Sequence, residues 1–393
     1  SMSTTSTDVE TAFLADVRRI ADEVAGPNAE AVDRDARFPV EAITALREIH
    51  ALSALVPTEL GGLGVSLATV AAACFELGRR CAATSMVYGM HLIQVDSIVR
   101  HRGDSAWYED YLRRLAAEER LIASATSEIG TGGDMGRSVA AVTPGADGRC
   151  TFEKQAPVIS YGLHAEDLFT TVRRAPDAEG NDQVAVLTHM DQMTLEPLGT
   201  WDPLGMRGTC SPGAVVKADF PAEQVLPTPF ALVSAVSMTP VTHILWAHTW
   251  LGIATDAFDR ARAFVRAAAK QKPGETPSSA MRLSHLMSEL SLLRAEIASA
   301  LSAYQAALAD DDGESLQTMA SALRYNNLKI ASSEQGVRVC QGALAVCGIM
   351  GFKNDTPYSV GRHLRDAMSA PLMVANERIH QTNASLLLIA KDV

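Results

Sequence analysis

Aromatic residues are scarce in this chain, 5% of 393 positions, and charged residues reach only 20% against 47% hydrophobic ones. A core built from such a sequence is mostly aliphatic, and the chain is long enough for two or three domains. An excess of cations is also missing. The formal net charge is -12, which removes the attraction that drives binding to nucleic acid or to an anionic membrane, so neither is expected as a partner. A local basic pocket for a phosphorylated ligand stays open. The six cysteines (Cys74, Cys81, Cys150, Cys210, Cys340 and Cys347) are scattered, with no CxxC among them. They read as small core residues of a protein in a reducing, cytoplasmic compartment. No signal peptide and no apolar run long enough to span a bilayer is read in the sequence.

Familiar chemical motifs are missing as well. No GxxxxGK[ST] loop, no GxGxxG between strand and helix, no HExxH and no GxSxG elbow occurs, which leaves phosphate-loop, zinc-peptidase and serine-hydrolase chemistry unsupported. His243 and His248 stand five apart, on different sides of a helix, so no metal site is expected.

What is present divides by texture. Residues 1–119 read as helical: "FPVEAITALREIHAL", "LATVAAACFELGRR" and "TSMVYGMHLIQVDSIVRH" carry apolar residues at helical spacing, and Ser66 is placed to cap the helix after the "ELGGLGVS" turn. Residues 120–226 hold short β-rich runs ("SVAAVTP", "CTFEKQ", "LFTTVRR", "QVAVLTHM", "AVVKADF") between Gly, Pro, Asp and Asn, the spacing of an antiparallel barrel or sandwich. Residues 227–393 return to helix. There Leu283, Leu286, Met287, Leu290, Leu293 and Ile297 form one stripe, "KQKPGETPSS" is an interhelical loop, and long helices are expected near 314–346 and 359–391. The fold class is α+β: a helical domain, a β domain, then a helical bundle.

One stretch raises a question of its own. "ASATSEIGTGGD" (residues 123–134) packs Gly130, Gly132 and Gly133 into a short bend after three hydroxyl side chains, with no lysine. Taken alone it is a glycine-rich hairpin with a local polar turn. Taken with "PTELGGLGVS", "VISYG" (Val158 to Gly162), "LGMRGTCSPGAVVKADFPAEQVL", "LGIATDAFDRARAFV" and "RHLRDA" (Arg362 to Ala367), in that order, it resembles the acyl-CoA dehydrogenase family over nearly the whole chain. The resemblance implies an FAD enzyme with a four-helix bundle as its last domain. It places Thr126 and Ser127 against the isoalloxazine, Gly132 and Gly133 beside them, and Ile159 and Ser160 in contact with it from the next strand. Glycines suit that task because they admit close backbone approach.

Departures from the family pattern bear on function. Family members remove an α-proton of an acyl thioester with a glutamate while a hydride leaves the β-carbon for flavin N5. Here Val374 falls at the position of that base, and Glu377, three residues later, is the only carboxylate of the stretch "MSAPLMVANERIHQTNAS". A carboxylate base needs reach to the substrate proton and a matched pKa; Glu377 is the candidate, or it is a solvated residue early in the last helix. The alternative family position for a base is Thr242. His243 stands where the family has arginine, as a polar base, a substrate contact or a satisfied core histidine, and Gly133, His243 and Val374 are the candidate substrate contacts. The RxxFG motif is replaced by "KQKPGETPSSAMR", leaving Lys270, Lys272 or Arg282 to meet a diphosphate. The leading expectation is an FAD-dependent dehydrogenase of an acyl-CoA or acyl-carrier thioester, passing electrons to an electron-transfer flavoprotein or O2, in fatty acid metabolism. The second is a monooxygenase on the same fold, using reduced flavin and O2. The third is a non-catalytic binding homologue. A homo-oligomer, dimer or tetramer, is expected from the resemblance. "SMVYGMHLIQ" (Ser85 to Gln94) either lines the acyl pocket or is plain core.

Overall fold

The computed structural model describes residues 2–393, with side chains from residue 7 onward. It opens with α1 (Met2–Ile20), which runs through one wide π turn (Ala21–Ala25) into α2 (Gly26–Arg34). The wide turn precedes Pro27, whose missing N–H leaves the ordinary helical ladder without a donor, and Gly26 N–H reaches back to Ala21 O instead. Then come α3 (Val40–Glu48), α4 (Leu67–Gly78), α5 (Ala82–His101) and α6 (Ala106–Glu118). Ser66 caps α4 by accepting from Thr69 N at 3.3 Å, as its position after the glycine turn predicts. Most of α5 is buried, including Met86, Val87, Tyr88 and Leu92, and the Tyr88 hydroxyl donates to Ala51 O. The "SMVYGMHLIQ" stretch is therefore largely core.

Seven strands follow: β1 (Ile122–Ala125), β2 (Thr143–Pro144), β3 (Arg149–Ala156), β4 (Asp167–Arg173), β5 (Gln183–His189), β6 (Met193–Leu198) and β7 (Gly213–Pro221). They form two open sheets, three-stranded β1-β4-β5 and four-stranded β2-β3-β7-β6. The β domain is where it was expected, as two sheets and not a closed barrel, and the antiparallel expectation is corrected at one pair, for β1 pairs with β4 in parallel. The reason is connectivity. β1 has four residues and no hairpin partner, and the chain crosses through β2 and β3 before returning at Asp167, which permits a parallel neighbour. β3 alternates exposed and buried, placing Cys150, Phe152, Lys154 and Ala156 inward.

The chain then enters α7 (Phe230–Val233), a second π turn before Pro240 (Ser234–Met238), and the long α8 (Thr239–Gln271). After it run α9 (Ser279–Asp311), α10 (Met319–Cys347), α11 (Ile349–Phe352), α12 (Gly361–Ala367) and α13 (Asn376–Ile389). The helix from Phe230 to Gln271 is long and apolar enough to cross a membrane, with a window of mean hydropathy 1.5, contrary to the reading of the sequence; 61% of that window is buried inside the protein, as in a core helix. α4 and α8 touch backbone to backbone: a Cβ on Gly78 would lie 2.8 Å from Thr249 O, and one on Gly252 would lie 2.5 Å from Phe75 O. Along α9 the residues Leu286, Leu290, Leu293 and Ile297 are buried as expected, whereas Met287 faces out. The single helix expected near 359–391 is instead two, α12 and α13, parted at 368–375 where Pro371 disfavours helix in the residue before it.

Three distant segments meet at one junction. Arg365 of α12 donates to both carboxylate oxygens of Asp33 in α2, at 3.0 and 2.5 Å, and to Leu204 O at 2.9 Å. Asp366 accepts from Met206 N at 2.8 Å, and burial pushes its carboxyl up to about 6. This knot fixes α12, and hence the turn after it, against the middle of the chain.

Candidate functional site

The bend after β1 is built from left-handed glycines. Gly130, Gly132 and Gly133 have φ of 98°, 64° and 84°, a region that other residues enter at a cost. Glu128 closes the bend by accepting from Val139 N at 3.0 Å and Ala140 N at 2.8 Å, and Ile129 N donates to Gln155 O at 2.9 Å. The side-chain hydroxyls of Thr126 and Ser127 are half-buried and make no hydrogen bond among the described residues. Below them, Lys154 reaches from the inward face of β3 into the other sheet. Its Nζ donates to Ala125 O at 2.8 Å, Thr171 O at 2.7 Å and Thr171 Oγ1 at 3.1 Å. Burial pushes this ammonium down to about 7.

Ser160 lies in the turn that follows β3, not on a strand, because β3 ends at Ala156 before Pro157. Its Oγ accepts from Ser211 Oγ at 2.8 Å, and Ser211 in turn meets Thr209 Oγ1 at 2.8 Å. This hydroxyl chain holds Ser160 half-exposed beside Val158, which is 45% exposed. Ile159 turns the other way: its side chain is buried and packs where a Cβ on Gly162 would come within 2.7 Å. It is a packing residue of this wall.

The facing wall is the turn at 370–376 and the start of α13. Arg378 lies across the glycine bend, donating from Nη2 to Gly132 O, and a Cβ on Gly133 would meet its Nε at 3.5 Å. Val374 is half-buried with φ of 55°. Glu377 is exposed and has no hydrogen-bond or ion-pair partner among the described residues. Beneath the turn, Lys329 of α10 is buried and donates to Ala370 O at 2.8 Å, Val374 O at 2.8 Å and Asn376 Oδ1 at 2.6 Å. Burial lowers this ammonium too, to about 7.

His243 is buried in the first turns of α8, and burial, aided by the charge of Lys329, lowers its imidazole to about 3. It is neutral at working pH. Its Nδ1 has no partner, nor does Nε1 of Trp246, one turn along the same face. The histidine is thus in the core but not satisfied there.

The structure therefore brings together Thr126, Ser127, Gly132 and Gly133 with the α13 end of the chain, places Ser160 on an adjoining wall, and leaves Ile159 in packing. Reading the sequence missed Lys154, Lys329, Asn376 and Arg378. A signal existed for the first: a lysine on the inward face of a strictly alternating strand, among Cys150, Phe152 and Ala156. Among the described residues no group of His, Cys, Asp and Glu is placed to hold a metal ion. The bend suits a flat ring with a polar edge. It presents glycine faces that any Cβ would obstruct, free hydroxyls at its rim and one guanidinium above. A flavin has that shape and those needs, and the donors at hand fit it.

The profile of the acyl-CoA dehydrogenase N-terminal domain matches residues 7–119, and that of the C-terminal domain matches residues 235–380. The amino sugar nitrososynthase DnmZ of Streptomyces peucetius is 26% identical over 353 residues, covering 87% of this chain and 84% of its own. The L-evernosamine nitrososynthase of a Micromonospora species is 29% identical over 381 residues, covering 91% and 86%. Butyryl-CoA dehydrogenase from Megasphaera elsdenii superposes with a TM-score of 0.81 at 20% identity, over 97% of this chain and 98% of its own, a likeness of fold. The chain belongs to the acyl-CoA dehydrogenase family, whose members are flavin oxidoreductases.

Proposed function

We propose that this enzyme is a flavin-dependent oxygenase that uses reduced flavin and O2, rather than a dehydrogenase of acyl thioesters. One observation carries the proposal: the wall facing the flavin bend offers no buried carboxylate. Val374, which the resemblance sets at the family base, carries no acid, Glu377 is exposed and has no partner among the described residues, and the groups beside the bend or under the turn are basic, Arg378 and Lys329. A base that must take a carbon-bound proton needs a desolvated acceptor at the substrate. The Arg378 guanidinium, beside the bend, suits negative charge instead. The names of the two nitrososynthase relatives, enzymes of amino sugars, support oxidation at nitrogen as the first chemistry to try.

In this reading Thr126, Ser127 and Ser160 hold the polar edge of the flavin, Gly132 and Gly133 lie at its face, and Arg378 covers the bend. Bound and reduced, the flavin supplies two electrons, so that one oxygen atom enters the substrate and the other leaves as water with two protons. His243 and Trp246, with unpartnered ring nitrogens, contact a polar substrate. The flavin is FAD, reduced by a separate reductase, in a cytoplasmic homo-oligomer whose contact surface includes the exposed Met281, Met287 and Leu292 of α9.

The test uses purified, flavin-loaded protein with a flavin reductase, NADH and panels of dTDP-amino sugars and acyl-CoAs. The proposal expects substrate-dependent oxygen uptake with a product heavier by one oxygen atom, and no anaerobic bleaching by any acyl-CoA. Anaerobic bleaching coupled to a desaturated thioester would restore the dehydrogenase reading. Protein that stays colourless after incubation with flavin would remove both.

A further inference from the structure

Val374 occupies the left-handed region, where its branched Cβ crowds its own backbone. Glycine or asparagine would relieve that strain, and neither is present. Such a conformation persists only where the surroundings over-determine it. Here the surroundings converge on one atom. Nζ of Lys329 donates to the carbonyls of Ala370 and Val374 and to the amide oxygen of Asn376, which uses all three ammonium protons. Asn376 is held a second time, its Nδ2 donating to Ser333 Oγ at 2.9 Å, one turn further along α10. The other groups near the ammonium are Glu334 on its own helix, and His243 and the Trp250 ring on α8, the latter 5.8 Å away; none of them hydrogen-bonds to Nζ.

We infer that Lys329 is a positioning residue: it holds the 370–376 turn, and with it the strained Val374, against the backbone's own preference, so that the turn keeps one fixed face toward the glycine bend. The turn leads directly into α13, whose Arg378 touches Gly132. A lysine without exposed surface thereby shapes the crevice through the turn and the helix joined to it. The inference rests on the reading that this crevice is the site, and is indifferent to whether the chemistry is oxygenation or desaturation.

Hydrogen exchange on the full, flavin-loaded chain tests it without a substrate. Lys329→Met keeps the stem and removes the donors. Amides of residues 372–379 are then expected to exchange about tenfold faster, the scale of losing charge-assisted hydrogen bonds, with α4 and α5 unchanged. Val374→Gly and Val374→Ala, each on the Lys329→Met background, both lose the valine methyl groups, the alanine keeping only Cβ, and differ in the cost of a left-handed residue. The glycine variant is expected to exchange about fivefold more slowly across the turn than the alanine variant, the factor that roughly 1 kcal/mol gives. Unchanged exchange at 372–379, or equal acceleration everywhere, overturns the inference. Should Lys329→Met fail to fold, the Val374→Gly and Val374→Ala pair in the otherwise unaltered chain decides, and equal or reversed exchange overturns it. The oxygen-uptake experiment can fail without moving any of these readings.

Discussion

Lys154 donates from Nζ to the carbonyl of Ala125 at 2.8 Å, at the last residue of β1 before the glycine bend begins. The same ammonium grips Thr171 O and Oγ1 in β4, so one buried side chain from the four-stranded sheet fixes the point where the three-stranded sheet hands over to the bend. Replacing it with the near-isosteric methionine removes that grip and a buried charge together. The expectation for Lys154→Met is about tenfold weaker flavin retention, because the bend loses its anchor. Dialysis followed by visible absorbance measures this, and wild-type retention would show that the anchor does not matter to the ring.

The same lysine gives a pH prediction with a definite sign. Its ordinary value is 10.5, and burial brings it to about 7 in the folded chain. Between those values the unfolded chain binds more protons than the folded one, so this group makes stability rise with pH from about 7 toward 10. Lys154→Met abolishes that contribution. The wild-type minus variant difference in urea midpoint should therefore move in favour of wild type as pH is raised from 7 to 10. A constant difference across that window would mean that Lys154 keeps its ordinary proton affinity when buried.

Glu377→Gln separates the two reaction classes at low risk to the fold. The residue is exposed, partnerless and in the first turn of α13. Losing one negative charge near a helix N-terminus costs about 0.3–1 kcal/mol at most. Flavin content and oxygen-dependent turnover are expected to stay within about twofold of wild type, a change smaller than 1.4 kcal/mol in any barrier. A loss of turnover by orders of magnitude would return the proton-abstracting role to Glu377.

How far the sequence carried follows from the range over which each feature acts. The helices of both ends were legible because α4, α5 and α8 bury long apolar runs, and Ser66 marks a helix start by a contact three residues away. The glycine bend was legible as a bend for the same reason, since a left-handed backbone leaves its mark on the residue itself. The parallel pairing of β1 with β4 was not, because four residues carry no period and their partner lies beyond two other strands. The walls of the site were least legible. Lys329 meets Ala370, and Arg378 meets Gly132, across 41 and 246 positions. Nothing local distinguishes either cation from a solvated one. Only the inward register of Lys154 in β3 carried a trace.

His243 offers a trade between stability and function. Its imidazole is buried and neutral, with burial holding it near 3, and Nδ1 lacks a partner. An orphaned buried polar atom costs about 1–3 kcal/mol. His243→Leu removes that cost at similar volume, so the melting midpoint is expected to rise. If the same nitrogen meets a polar substrate, KM should rise about tenfold while flavin binding is untouched. A lowered midpoint with unchanged KM would show the histidine to be satisfied by solvent or by a partner subunit.

Gly133→Ala tests the bend itself, and Gly148→Ala supplies the control that makes the result interpretable. Both glycines sit at left-handed φ, 84° and 73°. Each substitution therefore costs about 1–2 kcal/mol of backbone strain. They differ in surroundings. A Cβ at Gly148, in the loop before β3, meets nothing within 4 Å, whereas one at Gly133 meets the Arg378 guanidinium at 3.5 Å, the group that covers the bend. The two variants should lose similar stability by urea denaturation in the absence of flavin. Only Gly133→Ala should release flavin, because its methyl group displaces the Arg378 guanidinium that covers the bend beside the ring. Equal flavin retention in both variants would mean that the ring does not rest on this bend, and the assignment of the crevice would fall with it.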